Sequence, residues 1–455
     1  MRRVLPVILS AALMCVGAAV PASAAVVRVT SLSALQTALN SAAPGDRVEL
    51  ADGSYTASSA IAIKKSGTSS APITVTAANV GKAEIKGSAG FSFASGLHDV
   101  VLQGFSLRHG GGGLSVPGDA HHLRITRNSV QLSGVRDWVT VAGNDVEVDH
   151  NTFQNRSTEG VFLQITGPGT EIAQRTRVHH NYFYNHAFAG SNGGESIRLG
   201  YSHKQSKSAH AVIELNLFEK ANGDPEAISV KSSDNVVRYN TIRDSTGYIV
   251  LRHGNRNLVD GNVLLGSGIR FHGNDHRVVN NYVQNTGDRA IVFGTGSEAD
   301  SGPTSTGHDR PDRVTVAFNT LIGTGQVVDN DGGAFLPKDC VFANNIVRGT
   351  AQTRLIDIAA GSTVRYEGNI VFGATAGIPG GYRTVDPKLV VDAAGLSRLS
   401  AGSPAIDTAV GSYPYVTTDF DPHARAGALD VGADEFGGTV ARKPLTKADV
   451  GPAAV

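Results

Sequence analysis

Lys231 and Arg252 stand 21 positions apart in a chain whose own repeat is close to that number. Each closes a largely apolar run, Ala227 to Val230 before Lys231 and Tyr248 to Leu251 before Arg252. If one turn of a repeating fold consumes that many residues, the two cations lie on neighbouring turns and face one groove. Just upstream, Asp224 and Glu226 are separated by one residue, so in an extended segment their side chains share a face. With the amide oxygen of Asn192 from the preceding turn they make an all-oxygen set. Hard cations such as Ca²⁺ prefer such ligands. Arg198, His253, Arg270, His272 and His276 fall in the same stretch and predict one polar stripe.

The chemistry open to such a set is β-elimination on a uronic acid polymer. The C5 proton of a uronate is weakly acidic, because its loss has to be stabilised by the adjacent carboxylate. A cation there neutralises that carboxylate. Lys231 can take the proton if its pKa is lowered, and the positive charges of Arg252 and a Ca²⁺ ion act in that direction. Arg252 holds its own proton strongly, so its role is either to stabilise the departing O4 oxygen or to protonate it. A glycoside hydrolase on a similar scaffold needs two carboxylates across the bond, and the stripe offers a lysine and an arginine instead. A non-catalytic carbohydrate-binding β-helix accounts for the repeat but not for the convergence of these groups.

The elements that have to position them follow from a second pattern, apolar alternation followed by Asn and another apolar residue. It recurs at Asn128, Asn151, Asn181, Asn216, Asn240, Asn262, Asn281, Asn319, Asn345 and Asn369. From Asn216 the steps are 24, 22, 19, 38, 26 and 24 residues. A step near 23 with occasional insertions marks a solenoid, whose units bury their apolar faces only by stacking. Short alternating runs at this spacing predict an all-β, right-handed parallel β-helix. The Asn residues are scaffold at its tight bends, tolerating left-handed dihedrals and bonding from turn to turn. Ser31 to Leu39 predicts a short capping helix over the open N-terminal end. Segments 403–407 and 429–435 suggest final turns. Two insertions, 202–211 and 287–312, are placed to wall a groove.

Charged residues make up 18% of the chain and Gly reaches 54, which favours β structure over helix. Residues 1–24 have the form of a secretory signal: Arg2 and Arg3, an apolar stretch from Val4 to Val20, then Ala22-Ser23-Ala24. Its removal leaves 38 basic against 40 acidic residues, a charge of −2, and takes Cys15 with it. A broadly basic nucleic-acid surface is thereby excluded. Cys340, left alone, predicts a buried apolar filler in a chain without an internal disulfide.

The motifs Asn192-Gly193-Gly194-Glu195-Ser196-Ile197-Arg198-Leu199-Gly200, Asn216-Leu217-Phe218-Glu219, Glu226 to Ser232 and Leu251-Arg252-His253-Gly254 together resemble polysaccharide lyase family 6. That family includes alginate lyases and the dermatan-cleaving chondroitinase B. The resemblance implies a parallel β-helix with Lys231 as base and Arg252 as acid. It further implies Ca²⁺ on Asn192, Asp224 and Glu226, substrate contacts at Arg198 and His253, and groove positions for Arg270, His272 and His276. The expected organisation is a signal peptide at 1–24, a β-helical lyase domain at 25–436 and a tail at 437–455. The expected protein is a secreted monomer acting on an anionic polysaccharide, alginate first and dermatan sulfate second.

Overall fold

The computed structural model describes residues 24–285, 287, 289–300, 302–350, 354–439 and 441–454. The leader expected at 1–24 lies outside them, apart from Ala24. Among the described residues the chain winds as a right-handed parallel β-helix of three long sheets, two of fourteen strands and one of ten. Each turn contributes one strand to each sheet in sequence order, and strands one turn apart pair in parallel. Alternate residues point inward, so Ile197, Ile228, Ile249, Ile269 and Ile291 stack in register inside the coil, as do Leu199, Val230, Leu251, Phe271 and Phe293. All are fully buried.

Asparagines from Asn128 to Asn369 form an unbroken ladder. Each Oδ1 accepts from both the backbone N–H and the Nδ2 of the Asn one turn earlier, as at Asn240 from Asn216 (3.0 and 3.0 Å) and Asn262 from Asn240 (3.0 and 3.0 Å). The left-handed residue is not the Asn, as the sequence pattern suggests, but the one before it. His150, His180, Leu215, Tyr239 and Phe318 all have φ between 51° and 59°. A left-handed non-glycine costs on the order of 1 kcal/mol, and the buried amide that follows offsets it by satisfying backbone groups at the same corner.

The helix Leu32–Ser41 forms as expected, with Ser31 Oγ accepting from Ala34 N–H at 3.2 Å and Leu35, Ala38 and Leu39 buried against the first turns. Cys340 is buried, and burial pushes its thiol up to about 12. At the other end the structure differs from the sequence reading. The last parallel strand is Tyr382–Arg383, and Leu389–Val391 pairs with Ser397–Leu399 as an antiparallel hairpin. Segments 403–407 and 429–435 are not turns of the coil. Ala405 and Val431 pack with Ile346 and Ile370 on its outside, and Phe420 and Ala433 pack with Val263 and Tyr282. The chain then returns along the coil. Leu445 N–H donates to Thr241 Oγ1 at 2.9 Å, Gly451 N–H to the His180 carbonyl at 2.8 Å, and Arg127 reaches the Pro452 carbonyl at 2.8 Å.

Candidate active site

The stripe lies on the ten-stranded sheet, on strands Ile197–Gly200, Glu226–Lys231, Tyr248–His253 and Ile269–Phe271, which are consecutive in it. The outward row runs Gln164, Arg198, Ser229, Val250, Arg270, Val292, Asp329. Lys231 and Arg252 both belong to the next outward position. They are not directly paired, however: Val230 pairs with Leu251 and Lys231 with His253, so Arg252 is the extra residue of a bulge. Bulges re-aim a side chain, and here Arg252 turns onto Glu226, with which its Nη1 is ion-paired. Close strand approach at this end requires glycine. Gly254 has φ +90°, and a Cβ there would lie 2.2 Å from the Ser232 carbonyl oxygen.

Lys231 is 8% exposed, and its Nζ lies 3.6 Å from Oε1 of the fully buried Glu195. Glu195 is the residue that sequence reasoning missed. Its carboxylate takes a two-pronged ion pair from Arg198, with Nε at 2.7 Å. Burial would raise the Glu195 carboxyl, but the Arg198 fork and Lys231 outweigh it and hold it below the ordinary carboxylate range. For Lys231 the largest effect is burial, which lowers its pKa. Glu195 and Glu226 oppose that, and Arg198 and Arg252 add to it. The lowered lysine of the sequence reading is therefore present, but desolvation rather than a neighbouring cation is the main cause.

Asp224 and Glu226 sit side by side as the spacing implied. Asp224 accepts from Gly194 N–H at 2.8 Å and from Glu226 N–H at 2.7 Å. Burial, then Glu195, raise its carboxyl to about 7. The second oxygen of Glu226 is buried without a partner. Asn192 is exposed on the loop laid against Asp224. An orphaned carboxylate oxygen beside a second carboxyl that burial raises to about 7 is a buried acid pair short of positive charge, and it fits a hard divalent cation. A separate cluster, Asp149, His150 and His179, has ligand atoms within 4.8 Å of one another on a different sheet. Its Asp149 already accepts from Arg124, Thr126 and His150.

Downstream, three imidazoles cluster beside Arg252 and Arg270. His253 Nδ1 is 3.0 Å from the Gly307 carbonyl, and burial lowers its pKa to about 3. His272 is buried with neither ring nitrogen hydrogen-bonded, and its Nε2 is 4.0 Å from Asp331 Oδ2. His308, from the second predicted loop, stacks on His272 with ring centroids 4.6 Å apart and lies 4.8 Å from His253. Arg270 is ion-paired to Asp331 at 2.7 Å. His276 is a correction. It is fully buried, its Nδ1 accepting from Asn257 N–H at 3.0 Å and its Nε2 donating to the His272 carbonyl at 2.7 Å. It continues a second corner ladder of Asn235 and Asn257 and does not face the groove. The two loops meet where Gln205 Nε2 donates to the Ser305 carbonyl at 2.7 Å.

The family model for chondroitinase B matches residues 29–346. Among solved structures, the family 6 alginate lyase AlyGC is 25% identical with a TM-score of 0.73, covering 83% of this chain and 55% of that one. The chain thus spans about half of that relative's length. A mannuronic acid specific family 6 lyase from human gut microbiota is 25% identical with a TM-score of 0.72, covering 80% of this chain and 91% of that one. A family 6 polysaccharide lyase from Pseudopedobacter saltans, 20% identical with a TM-score of 0.69, covers 94% of this chain and 99% of that one and supports the fold. No curated protein matches. The match over residues 29–346 is most of the coil and includes every strand of the candidate site: the chain belongs to the chondroitinase B family, polysaccharide lyase family 6.

Proposed function

We propose that the chain cleaves a polyuronate, alginate foremost, by β-elimination, with Lys231 as base and Arg252 at the departing oxygen. The observation that carries the reading is the Lys231 amine, buried and lowered in pKa between two carboxylate-bound arginines. A buried neutral amine can accept the C5 proton. As it does, the C4–O4 bond breaks, a C4=C5 double bond forms, and the O4 oxygen leaves. The remaining N–H groups of Arg252 are placed to hydrogen-bond that oxygen as its charge develops, while Arg198 holds the substrate carboxylate. Asn192, Asp224 and Glu226 would hold Ca²⁺, which when bound neutralises the uronate carboxylate and so makes the C5 proton more acidic.

The similar alginate lyases at 25% identity favour alginate, and the name of the family model favours dermatan sulfate as the second substrate to try. We read residues 1–24 as a leader removed on secretion, 25–436 as the β-helical lyase domain, 437–455 as a tail strapped to it, and the mature protein as a monomer. The test is ultraviolet absorbance of the unsaturated uronate product with alginate and dermatan sulfate. Activity on alginate that disappears in Lys231→Ala is the expected result. Cleavage without an absorbing product, or full activity in Lys231→Ala, would refute the reading.

A further inference from the structure

His308 belongs to no strand of the coil. It arrives on the loop between Phe293 and Thr315, the second of the two insertions. That loop is tightly built. Ser297 N–H and Glu298 N–H both donate to the His308 carbonyl, at 2.9 and 3.1 Å, and His308 N–H returns a bond to Ser297 Oγ at 3.1 Å. Glu298 also accepts from Ser305 Oγ at 2.7 Å, and Ser305 is the residue that Gln205 of the first insertion reaches. The backbone at His308 is therefore fixed from both sides.

The ring that this backbone presents is not fixed by hydrogen bonds. Among the described residues neither of its nitrogens makes one, and the ring contacts recorded for it are those with His253 and His272. The buried His272 behind it likewise has both ring nitrogens without a hydrogen bond. An anchored backbone carrying a half-buried ring over an imidazole whose two buried nitrogens are unsatisfied is the construction expected of a ligand-contacting group, because buried polar groups are otherwise satisfied within the fold. The ring lies against His253, the residue after Arg252, and against His272, two residues after Arg270, which sets it on the Arg252 side of the Lys231–Arg252 pair.

We propose that His308 is a further substrate-contacting residue, which hydrogen-bonds the sugar unit lying on the Arg252 side of the cleaved linkage. The inference rests on the lyase reading of this groove and deepens it. Burial, then Arg252 and Arg270, lower the His308 pKa. It therefore presents one N–H donor and one lone pair, which suits a pair of sugar hydroxyls better than a carboxylate.

The test separates hydrogen bonding from packing. In the Lys231→Ala background, affinity for defined oligomannuronates and oligoguluronates is measured by calorimetry with His308, His308→Phe and His308→Gln. Phe keeps the stack on His272 and loses both polar atoms; Gln keeps a donor and an acceptor. Loss of a hydrogen-bond pair predicts about tenfold weaker binding in the Phe variant, with Gln holding most of the affinity. A Phe variant that binds like the parent overturns the proposal, as does a Gln variant as weak as Phe. The lyase reading is judged apart, by the absorbing product of the protein with Lys231 intact. Its failure leaves the binding comparison valid, and binding of no oligouronate at all overturns both.

Discussion

Replacing Glu195 by glutamine removes the carboxylate 3.6 Å from the Lys231 amine and leaves the side-chain shape unchanged. At an effective dielectric constant of about 20, a unit pair at that distance interacts by about 4.6 kcal/mol. Arg198 shares the carboxylate in a two-bond fork and offsets much of its field at the amine, so only part of that energy is lost. The sign of the effect is fixed by the structure. Glu195 stabilises the ammonium form and raises the Lys231 pKa, so its loss lowers that pKa further and the neutral amine persists to lower pH. The acid limb of kcat/KM reports the base of the free enzyme and should move to lower pH with it. The variant also leaves Arg198 buried without its partner, which costs about 3–5 kcal/mol of stability. The profile is therefore recorded well below the melting temperature, and the double variant Glu195→Gln/Arg198→Gln serves as the control without that orphan. An acid limb that stays in place or moves to higher pH in a folded Glu195→Gln protein would refute Lys231 as the base.

Chelation should lower kcat on alginate, Ca²⁺ should restore it, and Mg²⁺ should do so poorly, since Mg²⁺ demands near-octahedral geometry and gives up its waters reluctantly; chelator-insensitive activity would remove the metal from the mechanism. His276→Asn should keep kcat/KM unchanged, because an amide oxygen can accept from Asn257 N–H as the imidazole does, whereas His276→Ala should lower the melting temperature. Asn240→Ala removes donors to the Ile213 and Arg238 carbonyls and orphans the Asn216 backbone N–H, while Asn216 Nδ2 keeps its bonds to the Val178 and Glu214 carbonyls. It should cost about 3 kcal/mol or more, read as a lower denaturant midpoint.

The coil was legible because its repeat is enforced residue by residue. The Asn positions set the turn length, and each turn length fixed which strands adjoin, so Lys231, Arg252 and Arg270 could be assigned to one sheet from spacing. The bulge at Arg252 was not legible, since register within a turn depends on local pairing that a turn count does not resolve. Glu195 lay in a quoted motif, three residues before Arg198, but its burial beneath Lys231 is a packing outcome. His308 and Asp331 could not be placed, because insertions break the repeat and the chain alone does not say where a long loop returns. His276 was misassigned for the opposite reason. It is a histidine at a ladder position, and residue type was weighed above register. The end of the chain misled in the same way, its short apolar runs serving as cladding for the outer faces of Ile346, Ile370 and Tyr282 rather than as further turns.

The groove is cationic in residue type but not in net charge. Arg198 is held by Glu195, Arg252 by Glu226 and Arg270 by Asp331, in a chain whose acids and bases balance at 40 each. A groove of naked arginines would bind any polyanion through long-range attraction and lose it steeply with salt. Here a uronate carboxylate gains little from distance, because each cation already has a partner. It gains at contact, where guanidinium N–H groups left open by those partners meet its oxygens in fixed directions. The same pairing explains how a lysine can have a lowered pKa in a row of arginines without the row repelling itself apart. The acids cancel the repulsion between guanidinium groups, while burial acts on the one amine that no carboxylate approaches within hydrogen-bond distance. On the proposed function, selectivity for a polyuronate over other polyanions follows from the spacing of these half-occupied forks along the sheet rather than from charge.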